Sequence, residues 1–117
     1  MKKISTLRNK SDKLMQEYYR KQSLFCEGCG KPAVCMHHFF TKSTSSALRY
    51  YEPNLIAVCA GCHLAHHNGD PRLHAAVMQK RQLGWYSSLL IEKQRIIRIN
   101  KGYYQKIIEK YDNNKTT

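Results

Sequence analysis

The sequence predicts an α+β domain in which a small metal-reinforced module, residues 25–70, is flanked by N- and C-terminal helices. Three observations predict it. Two Cys-x-x-Cys turns, Cys26-Glu27-Gly28-Cys29 and Cys59-Ala60-Gly61-Cys62, stand 33 residues apart. That middle zone holds all five cysteines and five of the six histidines. On either side of it, apolar residues recur at helical spacing. A chain of 117 residues amounts to one domain (1–117) with a modest core, which a bound metal would reinforce.

The elements follow in order. Residues 1–24 form an arm with seven basic and two acidic side chains. Leu14, Met15, Tyr18 and Tyr19 lie there at helical spacing, with Ser11 or Asp12 as the cap. Ala33-Val34-Cys35-Met36 is a short apolar run that reads as a strand, with Cys35 as a buried core thiol. The second knuckle, placed before Leu64-Ala65, opens a helix. Asp70-Pro71 reads as an N-cap and first-turn proline for a helix through Ala75, Val77 and Met78 that stops at Gly84. A further helix runs from Trp85 through Leu89 and Ile96 to Ile99, and Gly102 interrupts it before Tyr103 to Ile108. These make up the C-terminal helices, residues 71–117, and the polar tail from Asp112 has nothing apolar to bury.

Composition narrows the partners. Lys and Arg number 20 against 8 acidic residues, a net charge of +12, which makes polyanions the leading partner class. A secretory leader is not expected, because Arg8, Lys10, Asp12 and Lys13 fall where its apolar run would lie. No apolar stretch reaches membrane-spanning length, so no membrane partner is expected. Five cysteines cannot all pair. A reducing, cytoplasmic setting follows as the expectation, and clustered cysteines there point to metal rather than disulfides.

Cys26, Cys29, Cys59 and Cys62 have the spacing that tetrahedral Zn²⁺ asks of a chain. Four protein ligands leave no open position, so this zinc would hold shape and do no chemistry. The bland alternative is four unrelated buried thiols. A thioredoxin-like redox pair lacks the βαβ surroundings it needs.

The histidines offer a second set of ligands. His37 and His38 are adjacent, Asn54 lies sixteen residues beyond His38, and His63 and His67 fall at i, i+4. On one helix face His63 and His67 can grip one cation, and one residue of the His37–His38 pair could complete a three-ligand site with an open position. The other is then free to take a proton from water. His66, at i+3 from His63, could replace His67. His74 reads as a surface or partly buried side chain, and Asn54 after Pro53 could be a turn residue. A second structural zinc site is the bland reading of the whole group.

His38, Asn54 and His63, framed by the two cysteine pairs, resemble the HNH endonuclease motif on a ββα-metal (treble-clef) core. The spacings of 9 from Asn54 to His63 and 4 from His63 to His67, with a doubled His at the start, are similar to those of colicin-type DNases. His38-Phe39-Phe40 with Leu48-Arg49-Tyr50 and Asn54 is also similar to phage NinG-like recombination nucleases.

By that resemblance His38 is the general base, and His37, His63 and His67 hold one divalent metal at the scissile phosphate. Asn54 braces the loop and orients His38, or helps at the metal as in some relatives. The commonest pattern has Asp where this chain has His37. An all-imidazole site is softer, so Mn²⁺, Ni²⁺, Co²⁺ or Zn²⁺ join Mg²⁺ as candidates. The partner implied is double-stranded or branched DNA, the setting the cytoplasm of a bacterium or phage-infected host, and the acting species a monomer or homodimer.

Lys42, Arg49, Arg72 and Arg81 are the candidate phosphate-contacting cations, with Tyr50 and Tyr51 beside them. No recognition-helix pattern is present, so modest sequence preference and steep salt dependence are expected. The rival from another class is a non-catalytic zinc module that binds DNA or RNA. A colicin-like toxin domain is a third reading.

Overall fold

In the computed structural model, which describes residues 3–112, the chain is α+β: five α-helices and one two-stranded antiparallel sheet among those residues. The polar tail from residue 113 onward lies outside the described residues. Helix α1 spans Ile4–Gln22 and starts about two turns before the expected cap. Its N-cap is Lys3, and no side chain caps it. Ser11 and Asp12 therefore sit inside the helix, and both are used for tertiary contacts. Ser11 is fully buried, and its hydroxyl donates to Leu7 O at 2.8 Å and reaches Tyr104 O at 3.4 Å. Leu7, Leu14 and Met15 form one buried stripe, which packs with Tyr104 and Tyr111 of helix α5, Lys101–Asp112. The two ends of the chain thus close on each other.

Strand β1, Cys35–His38, pairs antiparallel with β2, Leu55–Val58, with Cys35 opposite Val58 and His38 opposite Leu55. The strand begins two residues later than the apolar run suggested, so the histidine pair falls inside the sheet rather than after it. Alternation along β1 buries Met36 and His38 and leaves Cys35 and His37 half-buried. Cys35 is thus only partly the core thiol expected of it. Helix α2, Ala60–His67, follows β2 after one residue, and α3, Arg72–Lys80, returns beside it. The N-cap of α3 is Pro71 rather than Asp70, but the Asp70 carboxylate still accepts the Arg72 N–H at 2.9 Å.

The C-terminal region differs from the expected long helix. Helix α4 is Trp85–Lys93, and Gly84, with φ +95°, is its N-cap rather than the stop of the preceding helix. The chain then leaves helical geometry until α5. The run Ile96-Ile97-Arg98-Ile99 is β-branched and poorly suited to helix. Asn100 reopens the helix by accepting the Tyr103 N–H on its side chain at 2.9 Å. Gly102 falls inside α5 and interrupts nothing. Among the described residues, no helix is long and apolar enough to cross a membrane.

Two buried clusters result. One joins α1 and α5 to Met36, Tyr50 and Leu55. The other places Ile56 and Val58 of β2 with Cys26, Leu48, Leu73, Val77 and Leu89. Asp12 ties the first cluster to the loop between the strands: it accepts from Arg49 Nε at 2.9 Å and from the Tyr50 hydroxyl at 2.7 Å. Burial acts to raise the Asp12 carboxyl, but the hydrogen bonds of Arg49 and Tyr50 outweigh it and hold the group below 3.8. Its stabilising contribution is therefore complete above pH 3.8 and is lost as pH falls through the lowered native value. Asp12→Asn is expected to cost about 1–3 kcal/mol at neutral pH. Urea unfolding at pH 7 and at acid pH checks this, since the gap between variant and wild type should close in acid.

Candidate metal centres and histidine cleft

The first knuckle is shaped by its glycines. Gly30 adopts φ +82°, and its N–H donates to Cys26 O at 2.9 Å to close the turn. A Cβ on Gly28 would lie 3.0 Å from Leu73 Cδ1 and 3.1 Å from Cys62 Sγ, so only glycine fits comfortably between the two cysteine pairs. The Gly28 N–H points at Cys26 Sγ at 3.3 Å, and the Cys62 N–H at Cys59 Sγ at 3.4 Å. Cys59 is also the N-cap of α2, so the second knuckle and the helix start are one device. Arg81 locks the assembly from α3: it donates to both Glu27 carboxylate oxygens, at 2.8 and 2.7 Å, and to Leu55 O at 2.9 Å.

The sulfurs of Cys26, Cys29, Cys59 and Cys62 all lie within 4.8 Å of one another, a cluster that could bind a metal such as zinc. Their thiols respond unequally to the crowding. The Cys62 N–H leads in pulling the Cys59 thiol down to about 7, whereas burial and the neighbouring sulfurs push Cys62 up to about 12. Four sulfurs this close cannot all carry charge alone, and a divalent cation is the group that would let them.

A cleft of about 500 Å³ is bordered by His37, His38, His63 and His67, with Gln16 and Lys42. His63 and His67 share a face of α2, as their spacing requires, and their Nε2 atoms are 3.0 Å apart. His63 Nδ1 lies 3.7 Å from Cys35 Sγ, which gives the fifth cysteine a contact with the histidine group. The His37 ring centroid is 5.3 Å from that of His63 and 6.3 Å from that of His67.

His37 also approaches two further imidazoles, with ring centroids 4.8 Å away for His66 and 5.6 Å for His74. One ring nitrogen from each of His37, His66 and His74 falls within 4.8 Å of the others. His66 borders the cysteine side of α2 instead of the cleft. The structure therefore draws both His67 and His66 toward His37, on different sides. His74 is half-buried, in keeping with its sequence reading, but its place in this group was not foreseen. The only available signal was the turn at Asp70-Pro71, which folds α3 back on α2. Burial, then the surrounding imidazoles, depresses His37 to about 3, and burial likewise lowers His63 and His74. His37, His63 and His74 are thereby kept neutral near pH 7, the state in which imidazole binds metal.

His38 is 8% exposed, and its Nε2 lies 2.9 Å from Arg49 O. A carbonyl only accepts, so Nε2 carries the proton and Nδ1 holds the lone pair. Burial lowers the His38 imidazole below 6.5, and the bond to Arg49 O opposes this in part.

Asn54 is fully buried and entirely occupied. Its Oδ1 accepts the Phe40 N–H at 2.9 Å, and its Nδ2 donates to Phe40 O at 3.0 Å and Leu48 O at 3.2 Å. It pins both ends of the loop that carries Arg49 O to His38, and its side chain does not face the cleft. Asn54→Ala would leave those groups unpaired in a dry site, at an expected cost of about 2–4 kcal/mol. Asn54→Asp should fare little better, because it sets a carboxylate against two carbonyls. Urea midpoints of both variants check the expectation.

The four candidate phosphate contacts separate by environment. Lys42 is exposed and borders the cleft. Arg49 and Arg81 are held in ion pairs with Asp12 and Glu27, their side chains 21% and 23% exposed. Arg72 is exposed and paired with Asp70 at 2.6 Å. In comparisons with known proteins, the chain matches no family model, no curated protein and no solved structure.

Proposed function

We propose that the chain is a metal-dependent DNA endonuclease of the HNH class, with β1, β2 and α2 as a ββα-metal (treble-clef) core. The observation that carries the reading is His38: a neutral imidazole, its tautomer set by Arg49 O, bordering the same cleft as His37, His63 and His67. The donors suit a borderline divalent ion, since His63 and His67 converge and the His37 and His63 rings are neutral. His37, His63 and His67 would hold that ion. When bound, it supplies positive charge beside the scissile phosphate and the leaving 3′ oxygen.

The protein's own groups account for the remaining work. His38 Nδ1 accepts the proton of a water that adds to phosphorus as the bond to the 3′ oxygen breaks. Asn54 acts as a positioning residue, fixing the loop whose carbonyl orients His38. Lys42 stands where a phosphate backbone entering the cleft would pass. Arg49 and Arg81 act chiefly by shaping the site. The four cysteines would hold Zn²⁺ as a structural ion that ties the first knuckle to the start of α2. A net charge of +12 favours double-stranded or branched DNA as partner, encountered in the cytoplasm of a bacterium or phage-infected host cell. One cleft per chain nicks one strand, and a double-strand break would take a homodimer.

A second reading, a non-catalytic zinc module that binds DNA or RNA, draws on the proximity of His37 to His66 and His74, which could serve a structural ion. Incubation of supercoiled plasmid and branched DNA with the protein and Mg²⁺, Mn²⁺, Ni²⁺, Co²⁺ or Zn²⁺ separates the two. Nicking with at least one metal is expected, with DNA affinity falling steeply as salt rises. Binding without cleavage under every metal would leave the module and remove the enzyme.

A further inference from the structure

We propose that His37, His66 and His74 form a three-imidazole site for a borderline divalent cation such as Zn²⁺, Co²⁺ or Ni²⁺, distinct from the four-cysteine cluster and from the His63–His67 pair. Three elements converge on it: β1 supplies His37, the last turn of α2 supplies His66, and the first turn of α3 supplies His74. The short link between α2 and α3 places the latter two side by side, with stacked rings whose centroids are 4.3 Å apart. The face of Phe39 stacks on His74 at 4.2 Å and fixes its plane.

The unsatisfied atoms point to a ligand. Among the described residues, the buried side-chain nitrogens and oxygens with no hydrogen-bond partner are His37 Nε2, His66 Nδ1 and His74 Nε2, and all three belong to this group. A buried polar nitrogen without a partner is costly, and the three do not hydrogen-bond to one another. One cation accepting three lone pairs removes all three deficits at once. One ring nitrogen from each lies within 4.8 Å of the others, close enough for ligation with small side-chain adjustments. Neutral nitrogen donors select Zn²⁺, Co²⁺ or Ni²⁺ over Mg²⁺ and Ca²⁺, which prefer oxygen. The site takes His37, which the endonuclease reading gives to the cleft ion, so the two ions exclude each other at that imidazole, and a non-catalytic module would hold this site without competition.

The test is metal titration of the full chain carrying one zinc on its cysteines. Added Co²⁺ or Zn²⁺, followed by visible spectroscopy and calorimetry, should bind as a second equivalent, and the cobalt spectrum should show nitrogen ligation without thiolate charge transfer. H66Q and H74F should each weaken that equivalent by at least about tenfold. H74F keeps the stack on Phe39 while deleting the nitrogen, so the loss cannot come from repacking. H67Q should change it less than about twofold, and the cysteine-bound zinc should survive in all three variants. Failure to bind a second equivalent overturns the proposal. So does a second equivalent that persists in H74F and disappears in H67Q, which would assign the ion to the cleft pair. DNA cleavage plays no part in this readout, and loss in H74F set against loss in H67Q separates this site from the ion of the endonuclease reading.

Discussion

Cys59→Ser is expected to abolish zinc binding and unfold the half of the molecule built on the second cluster. The Cys59 sulfur is 3.5 Å from that of Cys29 and accepts the Cys62 N–H that starts α2, so its loss removes a ligand and a helix cap together. Structural zinc contributes about 10–16 kcal/mol of apparent folding energy in small modules. A domain of this size holds only about 5–15 kcal/mol in total. A zinc ion held by the four cysteines would thus contribute as much as the whole, and its removal should not be survived locally.

The protein carries its own reporter. Its one tryptophan, Trp85, donates its indole N–H to Pro53 O at 2.7 Å and packs on Phe39, beside the second cluster. Zinc content should fall from one per chain to none, with a red shift of Trp85 emission and rapid trypsin cleavage within residues 25–93. Cys35→Ser is the control, because Cys35 lies outside the four-sulfur group. It should keep its zinc and its emission. A Cys59→Ser protein that melts like wild type without metal would refute the structural role.

What the sequence revealed and what it hid divide along physical lines. The knuckles were legible because they are local: two residues between cysteines, glycine where the backbone turns, and a helix opening on the second pair. The i, i+4 approach of His63 and His67 was legible for the same reason. Groups whose role is set by distant partners were not. Ser11 and Asp12 have the chemistry of helix caps, yet the stripe Leu7-Leu14-Met15 needs α1 to begin earlier, and burial against Tyr104 and Arg49 then redirects both. Arg49 and Arg81 looked like phosphate contacts because a basic chain invites that reading, and only the fold reveals Asp12 and Glu27 against them. The missed end of α4 is a different failure: Ile96, Ile97 and Ile99 continue the helical spacing, but Ile96 is 96% exposed and has no core to join. His74 escaped notice because its significance lies in a four-residue return between two helices that sets it beside His66, which no short motif records.

On the proposed endonuclease reading, replacement of His38 should carry the largest effect on chemistry. Loss of a positioned general base lowers rates by about a hundredfold to ten-thousandfold, and plasmid nicking by His38→Ala should fall in that range. Alanine also vacates a nearly closed position, so a second variant separates chemistry from packing. His38→Gln retains an amide that can donate to Arg49 O and roughly fills the space, but it cannot accept the proton. Both variants should retain zinc, Trp85 emission and DNA affinity. His67→Ala supplies the contrast. If His67 helps to hold a divalent ion, its loss weakens metal binding, and excess metal should restore part of the activity. Excess metal should restore none in the His38 variants, because the missing function is a lone pair and not a ligand. Nicking by His38→Gln at the wild-type rate would move the base elsewhere in the cleft. Rescue of His38→Gln by metal would instead make His38 a ligand, and the tautomer fixed by Arg49 O would then serve coordination and not proton transfer.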